Sequence, residues 1–463
     1  MKKLVKKICI MLSLLLCIMQ AQVIHASTTE DTSSASWPEG PAKSSIVADS
    51  AILMEASTGL ILYEKNVDKR QFPASITKIM TALVAIENSS LDEVVTFSKN
   101  AVYGIEPGSS HIAADVGEKL TMRQCLYAML LESANEVCLA VAEHISGSVD
   151  EFVTMMNNRA KELGCTNTHF VNPNGLHNDK HYTTAKDMAL IAQTAINNKT
   201  FAKITGTKQY TIAKTNKKDA RTWIKNHHQM LYGYKYPKYE YAHCVGGKTG
   251  YTTKAQSTLV TYAEKNGVTL IAVVLKDLGP AYPANEYTDT KRMFQYGFKN
   301  FSLYDVTKNS EEVTNPELFT KYSGLLNDEN PLIYVEPGTK IILPKNITFD
   351  DVEQNITYNG ATTFKQGENT IGTIDYTYKG VHLGTSNIIY NVTDITKLNT
   401  NSEVNKTPDS KPLGKKSSST TNKVAFIVAL SIVGIGCIYY VFVVNKRKRR
   451  RSYYRNRRNS YYN

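Results

Sequence analysis

Several signatures of enzyme chemistry are missing from this chain. It has no G-x-S-x-G elbow, no glycine loop shaped for phosphate and no H-E-x-x-H string. Those absences exclude an α/β-hydrolase turn, a nucleotide-phosphate cradle and a zincin helix. His177 and His181 stand four apart, but Asn174 and Gly175 before them indicate a loop, and no glutamate accompanies them as a zinc hydrolase needs. We expect neither metal nor cofactor. Seven cysteines include no C-x-x-C pair. Cys9, Cys17 and Cys437 fall in apolar runs, leaving Cys125, Cys138, Cys165 and Cys244 widely spaced. Two readings of these four stand, an extracellular disulfide or small buried thiols. No internal repeat is present.

A basic groove is lacking too, although the net charge is +12. Nine of the positives lie between Lys446 and Arg458, and four more are Lys2, Lys3, Lys6 and Lys7. The chain between them is near neutral, so no nucleic-acid partner is expected.

What is present at the ends concerns targeting. Four lysines, the apolar stretch Ile8 to Met19, and small residues at Ala21 and Ala26 predict a signal peptide over residues 1–26. The competing reading is an uncleaved anchor. Val424 to Val444 carries no charge over 21 residues, about 31 Å of helix and enough to span a bilayer. The basic run at 445–463 follows it and belongs on the cytoplasmic side. The expected topology is a single-pass cell-membrane protein with its bulk outside. The tail meets membrane lipid headgroups or serves only as a stop-transfer signal.

Between the ends, residues 27–43 are rich in Ser, Thr, Ala and Pro, and predict a flexible leader. Residues 44–300 are dense in periodic apolar segments and long enough for one sizeable core. Residues 301–395 change to short strand-like runs, Ile333–Val335, Lys340–Leu343, Thr370–Tyr378 and Ile388–Val392, punctuated by Pro337-Gly338 and Asn359-Gly360. They predict a small separate β-rich domain. Residues 396–422 form a polar linker. In the large domain, Ala51–Met54 and Leu60–Tyr63 flank Ser57-Thr58-Gly59 as a hairpin. Ile76, Ile79, Met80, Leu83 and Val84 recur at helical spacing. Thr121 with Gln124 and Ser148 with Glu151 carry the spacing of a capping box. Ala242–Lys248, Ser257–Tyr262 and Val268–Leu275, the last two joined by Asn266-Gly267, predict three consecutive antiparallel strands. The fold class is therefore α+β, with an antiparallel sheet packed by helices rather than a doubly wound parallel sheet.

Three short strings carry chemistry. Ser75-Ile76-Thr77-Lys78 places a hydroxyl and an amine one helical turn apart, near a helix N-terminus. A serine needs a base before it attacks a carbonyl, and a lysine among apolar residues loses its proton more readily. Such strings also arise by chance. Ser133-Ala134-Asn135 falls between the apolar stretches Met122 to Leu131 and Val137 to Val141. Its polar residues face a cleft or cap the second helix. Lys248-Thr249-Gly250 follows Gly246-Gly247 on a strand, where a cation and a hydroxyl suit a ligand carboxylate. The alternative is an edge-strand lysine that blocks aggregation.

Taken in this order, the three strings resemble those of the serine penicillin-binding proteins and β-lactamases. The chain is most similar to the low-molecular-mass D-alanyl-D-alanine carboxypeptidases of the S11 peptidase family. Phe72-Pro73-Ala74-Ser75, Asn172-Pro173-Asn174-Gly175-Leu176 and Tyr182-Thr183-Thr184-Ala185-Lys186-Asp187-Met188-Ala189 fit the same family. The resemblance covers 44–300 strongly and the β-rich region loosely. It implies a β-lactamase/transpeptidase-like domain in which Ser75 is the acylated nucleophile, Lys78 its base and Ser133 a proton relay. Asn135 holds the substrate peptide, and Lys248, Thr249 and Gly250 receive the terminal carboxylate. The backbone N–H groups of Ser75 and Tyr251 form the oxyanion hole. The implied substrates are peptidoglycan stem peptides, with β-lactam antibiotics as inhibitors.

Two departures bear on this. The family continues past its K-T-G to Ala-Gly, whereas this chain has Ala255-Gln256, and Gln256 is expected to crowd the floor of the site. Many relatives end in an amphipathic helix rather than a span with a basic tail, so the β-rich region is expected to act as a spacer from the membrane. Competing functions are a β-lactamase, a DD-endopeptidase or transpeptidase, and a catalytically weak penicillin-sensing or wall-binding protein. No E-x-x-L-N stretch supports the β-lactamase.

Overall fold

The structure, a computed structural model, describes residues 37–278, 284–307, 332–359 and 363–392. The predicted signal peptide, linker, membrane span and basic tail lie outside these residues. Among the described residues no helix is long and apolar enough to cross a membrane.

The strands are β1 (Ser50–Glu55), β2 (Ile61–Lys65), β3 (Val94–Thr96), β4 (Lys119–Thr121), β5 (Gln209–Ile212), β6 (Arg221–Lys225), β7 (Cys244–Thr252), β8 (Gln256–Lys265) and β9 (Val268–Asp277). Beyond them come β10 (Phe301–Asp305), β11 (Leu332–Val335), β12 (Lys340–Pro344), β13 (Glu353–Tyr358), β14 (Gly367–Tyr378) and β15 (Val381–Val392). The helices are α1 (Lys78–Asn88), α2 (Lys99–Tyr103), α3 (Met122–Leu131), α4 (Asn135–Ser146), α5 (Val149–Glu162), α6 (Ala185–Asn197), α7 (Lys199–Thr205) and α8 (Asn285–Asn300).

The central sheet has the order β2-β1-β9-β8-β7, with every pairing antiparallel. Its β8–β9 turn is Asn266-Gly267, both with positive φ, the two-residue loop whose twist matches the strands. The period of two along a strand sorts the core into two layers. Ile271, Val273 and Leu275 face the helices α1, α3, α4 and α6. Leu270, Ala272 and Val274 face α8 through Met293, Phe294 and Phe298. Thr121 and Gln124 close a full capping box on α3, and Ser148 caps α5. The four described cysteines are free thiols, three buried and one half-buried.

The β-rich region is less separate than its sequence suggests. Strand β10 begins at the residue after α8 and pairs with β12. Phe301 and Ile342 belong to the same apolar cluster as α8. The four-stranded sheet β11-β15-β14-β13 carries its own core, with Ile374, Tyr376, Leu383 and Ile388 buried. The end of the expected leader is also packed. The Trp37 ring lies 5.3 Å from that of Phe301, and the Pro38 carbonyl accepts a hydrogen bond from the Tyr296 hydroxyl at 2.9 Å.

Candidate active site

Ser75 lies not on an α-helix but in the 3-10 turn Ala74–Thr77, and α1 starts only at Lys78. The preceding Ala74 has φ +52°, a left-handed conformation that costs a non-glycine residue on the order of 1 kcal/mol. Its surroundings impose it. A Cβ on Gly175 would stand 1.9 Å from the Ala74 carbonyl oxygen, so the 172–176 loop packs backbone to backbone against the nucleophile turn. The carbonyl of Pro73 accepts from Thr258 Oγ1 on β8 at 2.8 Å.

Lys78 is fully buried. Its Nζ donates to Ser75 Oγ at 3.0 Å, Asn135 Oδ1 at 2.7 Å and the Asn174 carbonyl at 2.5 Å. Burial pushes this ammonium down to about 8, opposed by Cys138 and Glu136 nearby. Asn135 Oδ1 and Asn174 O can only accept. When Lys78 is neutral its two N–H groups remain committed to them, and its lone pair is left for the Ser75 hydroxyl. The geometry therefore fits a base for Ser75 specifically.

Ser133 and Asn135 meet this cluster from the α3–α4 junction. Ser133 is buried, with φ +61°. It does not cap α4, whose N-cap is Ala134 with no side-chain bond. Its hydroxyl is not among the three partners of Lys78, so the relay role stays an expectation. Asn135 is brought directly onto Lys78, and its backbone N–H donates to the Ser110 carbonyl at 2.8 Å.

Lys248, Thr249 and Gly250 lie on β7, one of the two edge strands of the central sheet. Lys248 is buried and donates to the Thr249 carbonyl at 2.9 Å. Burial and then the Lys78 charge push its ammonium down to about 7. A Cβ on Gly250 would come within 2.9 Å of the Ser75 nitrogen, so β7 runs against the nucleophile's own amide. Tyr251 follows, with its side chain exposed. Gln256 does not fill the floor of the site. Its side-chain amide folds back on the Thr253 carbonyl at 2.5 Å at the β7–β8 turn. Its departure from glycine falls on the backbone, with φ +56°.

Sequence reasoning missed two supports. The backbone carbonyl of Asn174 completes the Lys78 shell. His181 ties this loop to the nucleophile turn, with Nε2 2.9 Å from Thr77 Oγ1 and Nδ1 accepting from the Val171 N–H at 3.1 Å. Because Nδ1 accepts, the neutral ring carries its proton on Nε2 and donates to Thr77. The signal available in the sequence was Gly175, whose missing side chain lets the loop approach. Among the described residues no cluster of histidine, cysteine or acidic residues could hold a metal ion.

Comparisons with known proteins agree with this geometry. A family model described as D-alanyl-D-alanine carboxypeptidase, peptidase S11, matches residues 35–279. The D-alanyl-D-alanine carboxypeptidase DacF of Bacillus subtilis is 35% identical over 269 residues, covering 58% of this chain and 66% of that protein. The D-alanyl-D-alanine carboxypeptidase of Streptomyces sp. strain K15 is 36% identical over 272 residues, covering 55% of this chain and 89% of its own length. Penicillin-binding protein 5 of Haemophilus influenzae superposes with a TM-score of 0.60 at 25% identity, over 77% of this chain and 99% of that one. With the family model spanning more than half its length and Ser75 and Asn135 both hydrogen-bonded to the one Lys78 amine, the chain belongs to the D-alanyl-D-alanine carboxypeptidase family of serine hydrolases, peptidase S11.

Proposed function

We propose that this chain removes the terminal D-alanine from peptidoglycan stem pentapeptides through an acyl-enzyme on Ser75. The observation that carries the reading is a buried Lys78 amine 3.0 Å from Ser75 Oγ, with its other two hydrogens committed elsewhere. Lys78 takes the hydroxyl proton as Ser75 Oγ attacks the carbonyl of the penultimate D-alanine. The developing oxyanion is received by the N–H groups of Ser75 and Tyr251, the kind of donors that usually supply a large part of the rate. The C–N bond then breaks, Ser133 passes the proton to the leaving amine, and free D-alanine departs. Water attacks the ester and restores Ser75. Lys248 and Thr249 hold the terminal carboxylate, and Asn135 holds the peptide. β-Lactams acylate the same serine.

The protein acts outside the cell in this proposal. It is exported by residues 1–26, anchored by 424–444, and held off the membrane by the β-rich region. Unchanged trimming of intact wall after lengthening the 396–422 segment would sink the spacer role.

The experiment is mass spectrometry of the purified protein after brief exposure to penicillin, with Ser75→Ala as control, followed by D-alanine release from an acyl-D-Ala-D-Ala peptide. A stable adduct on the Ser75 peptide together with D-alanine release is expected. Intact penicillin without an adduct would overturn the reading, and hydrolysed penicillin without one would make the chain a β-lactamase.

A further inference from the structure

Three segments meet around Ser75, and each is one wall of the site. These are the nucleophile turn, the α3–α4 junction with Ser133 and Asn135, and β7 with Lys248. Lys78 joins the first wall to the second, and Gly250 with Thr258 joins the first to the third. The segment Lys225–His228 spans the second and third. On one side the Lys225 N–H donates to Glu132 Oε1 at 2.7 Å, and His227 Nε2 lies 3.0 Å from Glu132 Oε2. The His227 N–H also reaches the Leu131 carbonyl at 3.4 Å. On the other side His228 turns inward, with Nε2 2.9 Å from Thr261 Oγ1 on β8. Thr261 pairs with Gly247, and a Cβ on Gly247 would come within 2.6 Å of His228 Nε2. The imidazole therefore occupies the space left by that glycine, one residue before Lys248. Asn226 fixes the segment itself, donating to the carbonyls of Thr205 and Thr207 and accepting from the His228 N–H, each at 3.0 Å.

We infer that Glu132 and His227 are positioning residues, whose contact sets the separation between the Ser133–Asn135 wall and the Lys248 strand. The inference rests on the proposed function above. The substrate's terminal carboxylate must sit at Lys248 while its scissile amide reaches Ser75 and Asn135, so this separation governs whether both ends fit at once. The pair is placed for such a role. Glu132 is adjacent in sequence to Ser133 and its side chain is 13% exposed, whereas that of His227 is 35% exposed. A partly exposed pair adds little to folding stability. Its effect falls instead on alignment, where small displacements are costly.

The test uses full-length protein carrying Glu132→Ala, His227→Ala, both together, or His227→Gln. Acylation of Ser75 by penicillin, kcat and KM for D-alanine release, and the unfolding midpoint are measured. Each alanine variant is expected to lower kcat/KM about tenfold or more, mostly in kcat. The double variant should be no slower than the slower single one, because both remove the same contact. His227→Gln, whose amide can still donate to Glu132, should restore most of the rate. Parent rates in the single variants, multiplying losses in the double variant, no recovery with glutamine, or losses that track unfolding would each overturn the inference. A parent protein that penicillin does not acylate would overturn the proposed function and this inference with it. An acylated parent with unaffected variants would overturn the inference alone.

Discussion

Gly250 and Ser75 stand so close that a Cβ on the glycine would fall 2.9 Å from the serine nitrogen and 2.4 Å from Thr258 Oγ1. The edge strand and the nucleophile turn are thus in backbone contact, and the expected oxyanion donors Ser75 N–H and Tyr251 N–H flank that contact. Gly250→Ala should push β7 away from Ser75. We expect acylation by penicillin to fall about 100-fold, the scale of a misplacement of about 1 Å in a reacting geometry, while the protein still folds. Stopped-flow acylation rates with circular dichroism would check this, and an unchanged rate would mean the strand does not shape the site.

Lys78 and Lys248 are both buried, and burial pushes them down to about 8 and about 7 from the ordinary 10.5, with the Lys78 charge adding to the shift of Lys248. The kcat/KM for a D-Ala-D-Ala peptide should climb with pH well below the ordinary lysine range, as a lysine loses its proton. An ascending limb above about pH 10, where an ordinary lysine titrates, would show that Lys78 stays charged at neutral pH and is not the base. Stability follows the same sign. Between the lowered values and 10.5 the unfolded chain binds more protons than the folded one, so stability rises with pH there. Lys78→Met should flatten that rise in a urea-unfolding series.

The chemistry was legible because its side chains lie in short strings, each with a recognisable spacing. Their assembly was not, because the parts that complete the site carry no letter of their own. The Asn174 carbonyl is a backbone atom, and the left-handed Ala74 looks like any alanine until Gly175 is seen beneath it. Helix α1 was legible from its apolar period. The 3-10 turn that holds Ser75 was not, since four residues show no period. Strand β10 escaped notice because Phe301–Asp305 is only five residues long and follows α8 without a turn signal. Its Phe301 joins a core built mostly by residues earlier in the chain, and Trp37 from the expected leader packs against the same core from the other end of the sequence. Gln256 misled because its side chain suggested crowding, whereas the constraint at that position is on φ.

His181 is buried as a neutral ring bridging Thr77 and Val171, and burial pushes its imidazolium down to about 3. A base whose value is lowered on folding destabilises the folded state in acid. From about pH 6.5, the ordinary histidine value, down to about 3, the unfolded chain takes the proton and the folded one does not, so stability falls as pH falls. His228, also pushed down to about 3 by burial, adds to the same slope. His181→Gln should reduce the acid slope by the share of one proton and also slow acylation, because Thr77 loses its fixed donor. An unfolding series from pH 7 to 4 would check this, and a slope identical to the parent's would show that His181 is protonated in the folded protein.

Arg221 and Glu118 form a two-pronged ion pair against the 112–118 stretch, with Nη1–Oε1 at 2.8 Å and Nη2–Oε2 at 2.9 Å. Neither side chain is more than 6% exposed. Burial alone would raise the Glu118 carboxyl, but hydrogen bonds from Arg221, Asp115 and Thr215 hold it below the ordinary carboxylate range. Arg221 Nε also donates to the Ile112 carbonyl at 2.9 Å, in the stretch just after Ser110, whose carbonyl receives the Asn135 N–H. Arg221→Met would strand a carboxylate in the interior, at a cost of about 3–5 kcal/mol. Pairing it with Glu118→Leu removes the stranded charge and should recover much of that loss. A urea-unfolding double-mutant cycle measures both effects. Equal destabilisation in the single and double variants would mean that the hydrogen bonds to the 112–118 loop, rather than the charges, hold this part of the fold. Acylation by penicillin should follow stability in this series and recover in the double variant, because the pair supports Asn135 only through the loop.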